Sequence, residues 1–271
     1  MALLEEYETV LTTKPPRRQK EQNVQDFLEE HSELLPTPVK LNHQLHFNCV
    51  ISKYPIGPYI TDYVYLTKSS NEWKIVLVEL EDPKKLYFSA TNLKSTIFTA
   101  EFNAALQQVK DWQIYINENK EAIIKKLYVL LKPETMRNNP INFEYILIYG
   151  RSSNRDASNE RKKRIDMWKT DNHIEIYSYD TIRHIYEHDR YPRKKLILSP
   201  KQEIFSIKML DDEPTIFADI SASELEISKE YIEELKKKGY QMDEWLKGHN
   251  LCVNHKYVDV SKVIELLESK D

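Results

Sequence analysis

Hydrophobic and polar positions alternate most clearly between residues 60 and 85, ITDYVYLTKSSNEWKIVLVELEDPKK. Two runs rich in β-branched and aromatic residues, 62–68 and 73–81, flank the polar tetrad Ser69-Ser70-Asn71-Glu72, which predicts a β-hairpin with a four-residue loop. Antiparallel pairing keeps the sum of paired numbers constant, so Lys68 opposite Trp73 sets Asp62 opposite Glu79. Strand alternation places Glu81 on the same face as Glu79. Asp62, Glu79 and Glu81 thus converge at one end of a hairpin that is otherwise largely apolar. Burying acids there is costly unless something pairs with them, and a divalent cation is one solution.

The same reading predicts the neighbouring elements. Val24, Phe27, Leu28, Leu34 and Leu35 give a helical stripe over 17–35, stopped by Pro36 and Pro38. Glu21, Gln22, Gln25 and Glu29 fall on its other faces and read as solvated. Residues 43–52 read as a strand pairing with the hairpin, with His43 and His46 on opposite faces, and 54–58 as a turn feeding into Asp62. A long amphipathic helix is expected over 96–117, burying Ile97, Phe98, Phe102, Ala105, Val109, Trp112 and Ile116 with Gln108 beside that stripe. Strands are expected at 126–131, 142–149 and 174–177. A charged helix is expected within 155–167, and another from Tyr179 to His188 with Asp180 as its N-cap. His184 and His188 stand four apart with no third ligand nearby, and read as solvated.

At its ends the chain divides into an arm, 1–16, broken by Lys14-Pro15-Pro16, and an annex, 196–271, beyond the basic linker 190–195. The annex is expected to hold strands at 203–209, 215–220 and 251–258. Its helices are expected at 229–238, ended by Gly239, and at 260–269, with Trp245 in a segment between them.

Composition narrows the chemistry. Only 4 glycines occur in 271 residues, with no GxGxxG or P-loop, so no nucleotide cofactor is expected. A formal charge of −4 gives no global attraction to nucleic acid, and any DNA contact must come from a local patch. Arg151 and the run Arg161-Lys162-Lys163-Arg164 are the candidates, since Lys and Arg clusters supply most affinity for phosphates. Cys49 and Cys252 form no CxxC pattern, and no leader or 18-residue apolar stretch is read. The expectation is a cytoplasmic protein without membrane contact.

Several of these motifs occur together, in order, in one known family. Asp62, then Val78-Glu79-Leu80-Glu81 and Pro83, then Gln108-Val-Lys-Asp111-Trp112 on the long helix resemble the C-terminal nuclease domain of the Shedu (SduA) anti-phage defence proteins. So does the succession ILIYGR, basic helix, IEIYSYD. The resemblance covers about 17–188 and implies a PD-(D/E)XK-type α/β fold, a mixed hairpin-built sheet flanked by helices, over 17–190. It implies a Mg2+- or Mn2+-dependent DNA endonuclease in which Asp62, Glu79 and Glu81 hold the metal. Gln108 would position water or the scissile phosphate, and Lys84 or Lys85 would supply positive charge. DNA is the expected partner, with assembly into a homo-oligomer. Glu81 is a departure, standing where the superfamily most often carries Lys, although some restriction endonucleases use E-x-E. Two rival readings are a non-catalytic nucleic-acid-binding module on the same fold and a two-carboxylate glycosidase. Against the second, the acids sit too close on neighbouring strands for an inverting pair.

Overall fold

The computed structural model describes residues 3–13, 20–89, 95–189 and 192–252. The expected strand at 251–258 and helix at 260–269 lie almost wholly outside them, as do Pro15, Pro16 and Arg17.

The hairpin forms as the alternation requires. β2 (Tyr59–Lys68) and β3 (Trp73–Leu80) pair antiparallel with Lys68 opposite Trp73 and Tyr63 opposite Val78. They occupy the middle of an eight-stranded mixed sheet of order β5-β4-β3-β2-β1-β6-β7-β8. β1 (Cys49–Ile56) runs antiparallel beside β2, while β4 (Ile141–Ile148) and β5 (Glu175–Tyr177) continue parallel from β3. β6 (Leu196–Lys201), β7 (Ile204–Met209) and β8 (Leu225–Glu226) extend the other side.

Both faces of the sheet are covered, so the central strands are apolar on both sides. Val64, Leu66, Ile75 and Leu77 pack with Phe102, Ala105, Val109 and Trp112 of the long helix α3 (Ala100–Lys126), and Ile165 of the basic helix α5 (Asn159–Asn172) joins that layer. Tyr63, Tyr65, Val76, Val78 and Leu80 face α1 (Leu3–Thr12), α2 (Lys20–Glu30) and α6 (Tyr179–His188). A short helix, α4 (Ser152–Arg155), precedes α5, and α7 (Lys229–Lys237) and α8 (Met242–Leu246) pack onto the α3 side.

Several expectations are corrected. The N-terminal arm is helical from Leu3 to Thr12, and the Tyr7 side chain is wholly buried, donating to Tyr179 O at 3.0 Å. Residues 126–131 are not a strand: α3 runs on to Lys126 because Ile123 and Leu127 keep its apolar stripe going. The stretch 43–48 forms 3-10 turns, and β1 extends through Tyr54-Pro55-Ile56, so the turn before Asp62 is only Gly57-Pro58. His46 is buried against Leu130 O, and burial pushes it down to about 3, a neutral core imidazole. Residues 215–220 hold a 3-10 turn rather than a strand. Ser178, not Asp180, caps α6.

The sheet also runs unbroken across the expected boundary at 190–195. β6 pairs parallel with β1, burying Leu196, Ile197 and Leu198, and Lys195 is stitched through its backbone and ammonium to Ser32. Lys208 on β7 reaches back to Glu29 on α2. Strands β6, β7 and β8 therefore extend the same sheet as the hairpin.

Candidate metal and phosphodiester site

The acid cluster lies where β2 and β3 part. Past Tyr63–Val78 the ladder ends, leaving the Leu80 amide pointing toward a strand that has turned away. Asp62 Oδ2 accepts from that amide at 2.7 Å, so the carboxylate closes the open end of the hairpin. Glu79 continues the α3 face of Ile75 and Leu77, and there the Gln108 side-chain amide donates to Glu79 Oε1. Asp62, Glu79 and Glu81 are all buried, and Tyr179 OH donates to Glu81 O at 2.6 Å.

Burial dominates the electrostatics. It raises Asp62 and raises Glu79 well above the usual carboxyl range, and Asp62, Glu81 and Glu21 then add repulsion on Glu79. Burial thus favours the neutral form of Glu79, while Asp62 is held by Lys53 Nζ at 2.5 Å. Glu81 is paired with the Lys85 ammonium. The other oxygen of Glu79, Oε2, is buried with no hydrogen-bond partner.

Two residues join the site that the sequence reading did not assign to it. Glu21, expected on a solvated face of α2, is raised to about 7 by burial and by Asp62 and Glu81, so it borders the cluster. Its spacing held the clue: Glu21, Gln25 and Leu28 follow one another on a single helical face, and both Gln25 and Leu28 are buried. Lys53 had no such local signal. Its place opposite Asp62 follows only from the β1–β2 register.

The assigned cation moves accordingly. Lys84 is exposed and its backbone amide bonds Asp82, whereas Lys85 and Lys53 are the lysines on the acids. Gly150 fixes the Lys85 backbone: it has φ +49°, and a Cβ there would lie 2.4 Å from Lys85 O.

The basic patch divides in two. Lys162, Lys163 and Arg164 are exposed on the first turns of α5. Arg161 is wholly buried, donating to Ser95 O, Asn154 O and Ser89 O at 3.1, 3.1 and 2.7 Å. It pins the connection leading to α3 and is not a surface phosphate ligand. Arg151 is engaged by Glu8 at 2.8 and 3.1 Å and by Asp180 at 2.7 Å.

The residues present suit a hard divalent cation. Asp62 and Glu79 feel one another's charge at the end of the hairpin, offer only oxygen, and include one buried oxygen without a partner. Among the described residues no three His, Cys, Asp or Glu side chains stand grouped as a ready cage, so Glu81 is not preassembled as a third ligand. Mg2+ characteristically takes one or two carboxylates and keeps several waters, which a two-carboxylate site accommodates.

Fold and site together define a mixed α/β protein with a buried acidic centre at the open end of its central hairpin. The family model for the C-terminal part of the Shedu protein SduA matches residues 18–182, more than half of the chain, and the protein belongs to that family. No curated protein matches the chain. No helix among the described residues is long and apolar enough to cross a membrane.

Proposed function

We propose that this protein is a Mg2+-dependent DNA endonuclease of the PD-(D/E)XK type, acting in anti-phage defence as membership of the Shedu family suggests. The observation that carries the reading is the Asp62–Glu79 pair, buried at the parting of the hairpin, with Gln108 on one Glu79 oxygen and the other without a partner. Asp62 and Glu79 would hold the cation, which when bound lowers the pKa of water and offsets charge on the phosphodiester. Gln108 orients the Glu79 carboxyl. Glu21 and Glu81 border the same centre and would accept a proton from an attacking water. Lys162, Lys163 and Arg164 would bind DNA phosphates without reading sequence.

Incubation with supercoiled plasmid tests this. Nicked or linear product is expected with Mg2+ or Mn2+, and none with EDTA or in Asp62→Ala. Intact plasmid with both metals, alongside retained DNA binding, would leave the non-catalytic module. One observation favours that second reading: Lys53 and Lys85 already neutralise Asp62 and Glu81 without any metal.

A further inference from the structure

Among the described residues, seven other than glycine have positive φ: Asn42, His43, Phe47, Asn48, Lys53, His173 and Gln202. Six of them lie in turns or at the end of a helix, and Lys53, at φ +51°, is the one inside a strand. Its effect on β1 is specific. Cys49 and Ile51 face α3, and so do Tyr54 and Ile56, so the inward-outward alternation slips by one at Lys53. The register with β2 does not slip: Ser52 stays opposite Tyr63 and Tyr54 opposite Thr61, with Lys53 unpaired across from Asp62. Such irregularities re-aim a side chain, and a lysine has no intrinsic preference for the left-handed region. Here the re-aimed ammonium meets the Asp62 carboxylate.

Charge balance alone does not call for this device, since Lys85 neutralises Glu81 from an ordinary backbone i,i+4 relation. The two partners also differ in access. The Asp62 side chain is 5 % exposed and that of Lys53 48 %, so the stem leaves the acid toward solvent, the side from which a substrate arrives. A phosphodiester brought to several carboxylates needs a cation close by. A strained, outward-reaching lysine already on the central acid is positioned to provide it.

We propose, resting on the nuclease reading above, that Lys53 is the catalytic cation of this centre. It holds Asp62 when no divalent ion is bound, and turns its ammonium to the scissile phosphate when a divalent ion takes the Asp62 oxygens. Lys53 and the metal are then competitors for Asp62 Oδ1.

The test uses the full chain and its variants Lys53→Met, Lys53→Gly and Lys53→Arg, read by single-turnover plasmid cleavage and by calorimetric titration with Mn2+ alone. Lys53→Met should lose about a hundredfold or more in cleavage rate, as expected for removal of a charge that stabilises a transition state, while binding Mn2+ as tightly as wild type or more tightly. Lys53→Arg should recover part of the rate. Lys53→Gly, which suits the left-handed backbone, should melt no lower than Lys53→Met and cleave no faster; it keeps the test open if the Met variant folds poorly. Wild-type cleavage rates in Lys53→Met and Lys53→Gly would overturn the inference alone. Weaker Mn2+ binding in both would also overturn it, making Lys53 a scaffold for Asp62. A wild-type protein that cuts no DNA would overturn the nuclease reading and this inference with it.

Discussion

Glu79 and Glu21 show how burial converts acidic residues into proton carriers. Both have folded pKa values above those of the unfolded chain, so the native state binds more protons than the unfolded one between the two values. The stability each contributes is present below the unfolded value and is lost as pH rises through the folded one. For Glu21 that window runs from 4.5 to about 7. The metal-free protein should therefore melt higher at pH 5 than at pH 8. Glu21→Gln should flatten part of that difference, adding about 1 kcal/mol at pH 8 once partial exposure is discounted, and nothing near pH 4. Differential scanning calorimetry across pH checks it, and an unchanged profile in Glu21→Gln would place Glu21 outside the cluster. A divalent cation must displace the Glu79 proton, so Mn2+ binding should release protons and weaken as pH falls. Titrations in two buffers of different ionisation enthalpy measure that release.

Among the elements, α5 changes the most between expectation and structure. Its run of four basic residues reads in sequence as one patch, yet one helical turn divides it into a buried pin and an exposed face. Arg161→Met should leave three carbonyls short of a donor and destabilise the fold by about 3 kcal/mol or more, measured by urea unfolding. Neutralising only Lys162, Lys163 and Arg164 should leave stability nearly unchanged while flattening the dependence of DNA affinity on salt. An unaltered salt slope in that triple variant would show the face does not meet phosphate. The connection after β4 makes a second case. Gly150→Ala adds a Cβ against Lys85 O at a positive φ, and should cost about 1–3 kcal/mol while loosening the Lys85–Glu81 pair. Urea unfolding of the variant measures that cost, and unchanged stability would show that the chain there yields freely.

Considered as a whole molecule, the protein is held as one sheet. β6 lies on β1, the strand that presents Lys53, and Lys208 on β7 joins Glu29, which also accepts from Ser52. A chain ending at residue 195 would expose Val50 and Ile51 along a bare edge next to the site. It should lose the cooperative melt of the full protein instead of folding as a smaller unit. A single calorimetric transition for residues 1–271 supports that, and two separate transitions would make the C-terminal flank independent.

The chain alone determined the central hairpin and its register, because strand alternation and a constant pairing sum are local rules. It also placed Gln108 beside the apolar stripe of α3, since helical periodicity fixes which face a residue shares. What pairs with the acids was settled in three dimensions. Lys53 depends on the β1 register and a left-handed backbone, Lys85 on Gly150, and Glu21 on how α2 crosses the sheet. Arg161 shows the same limit, for its partners are the backbone carbonyls of Ser89, Ser95 and Asn154, and neither the distant pairing nor its full burial appears in a run of like charges. Periodicity tells which side of an element a residue occupies. Only the packing of elements against one another determines what stands on that side, and hence the charge each acid carries.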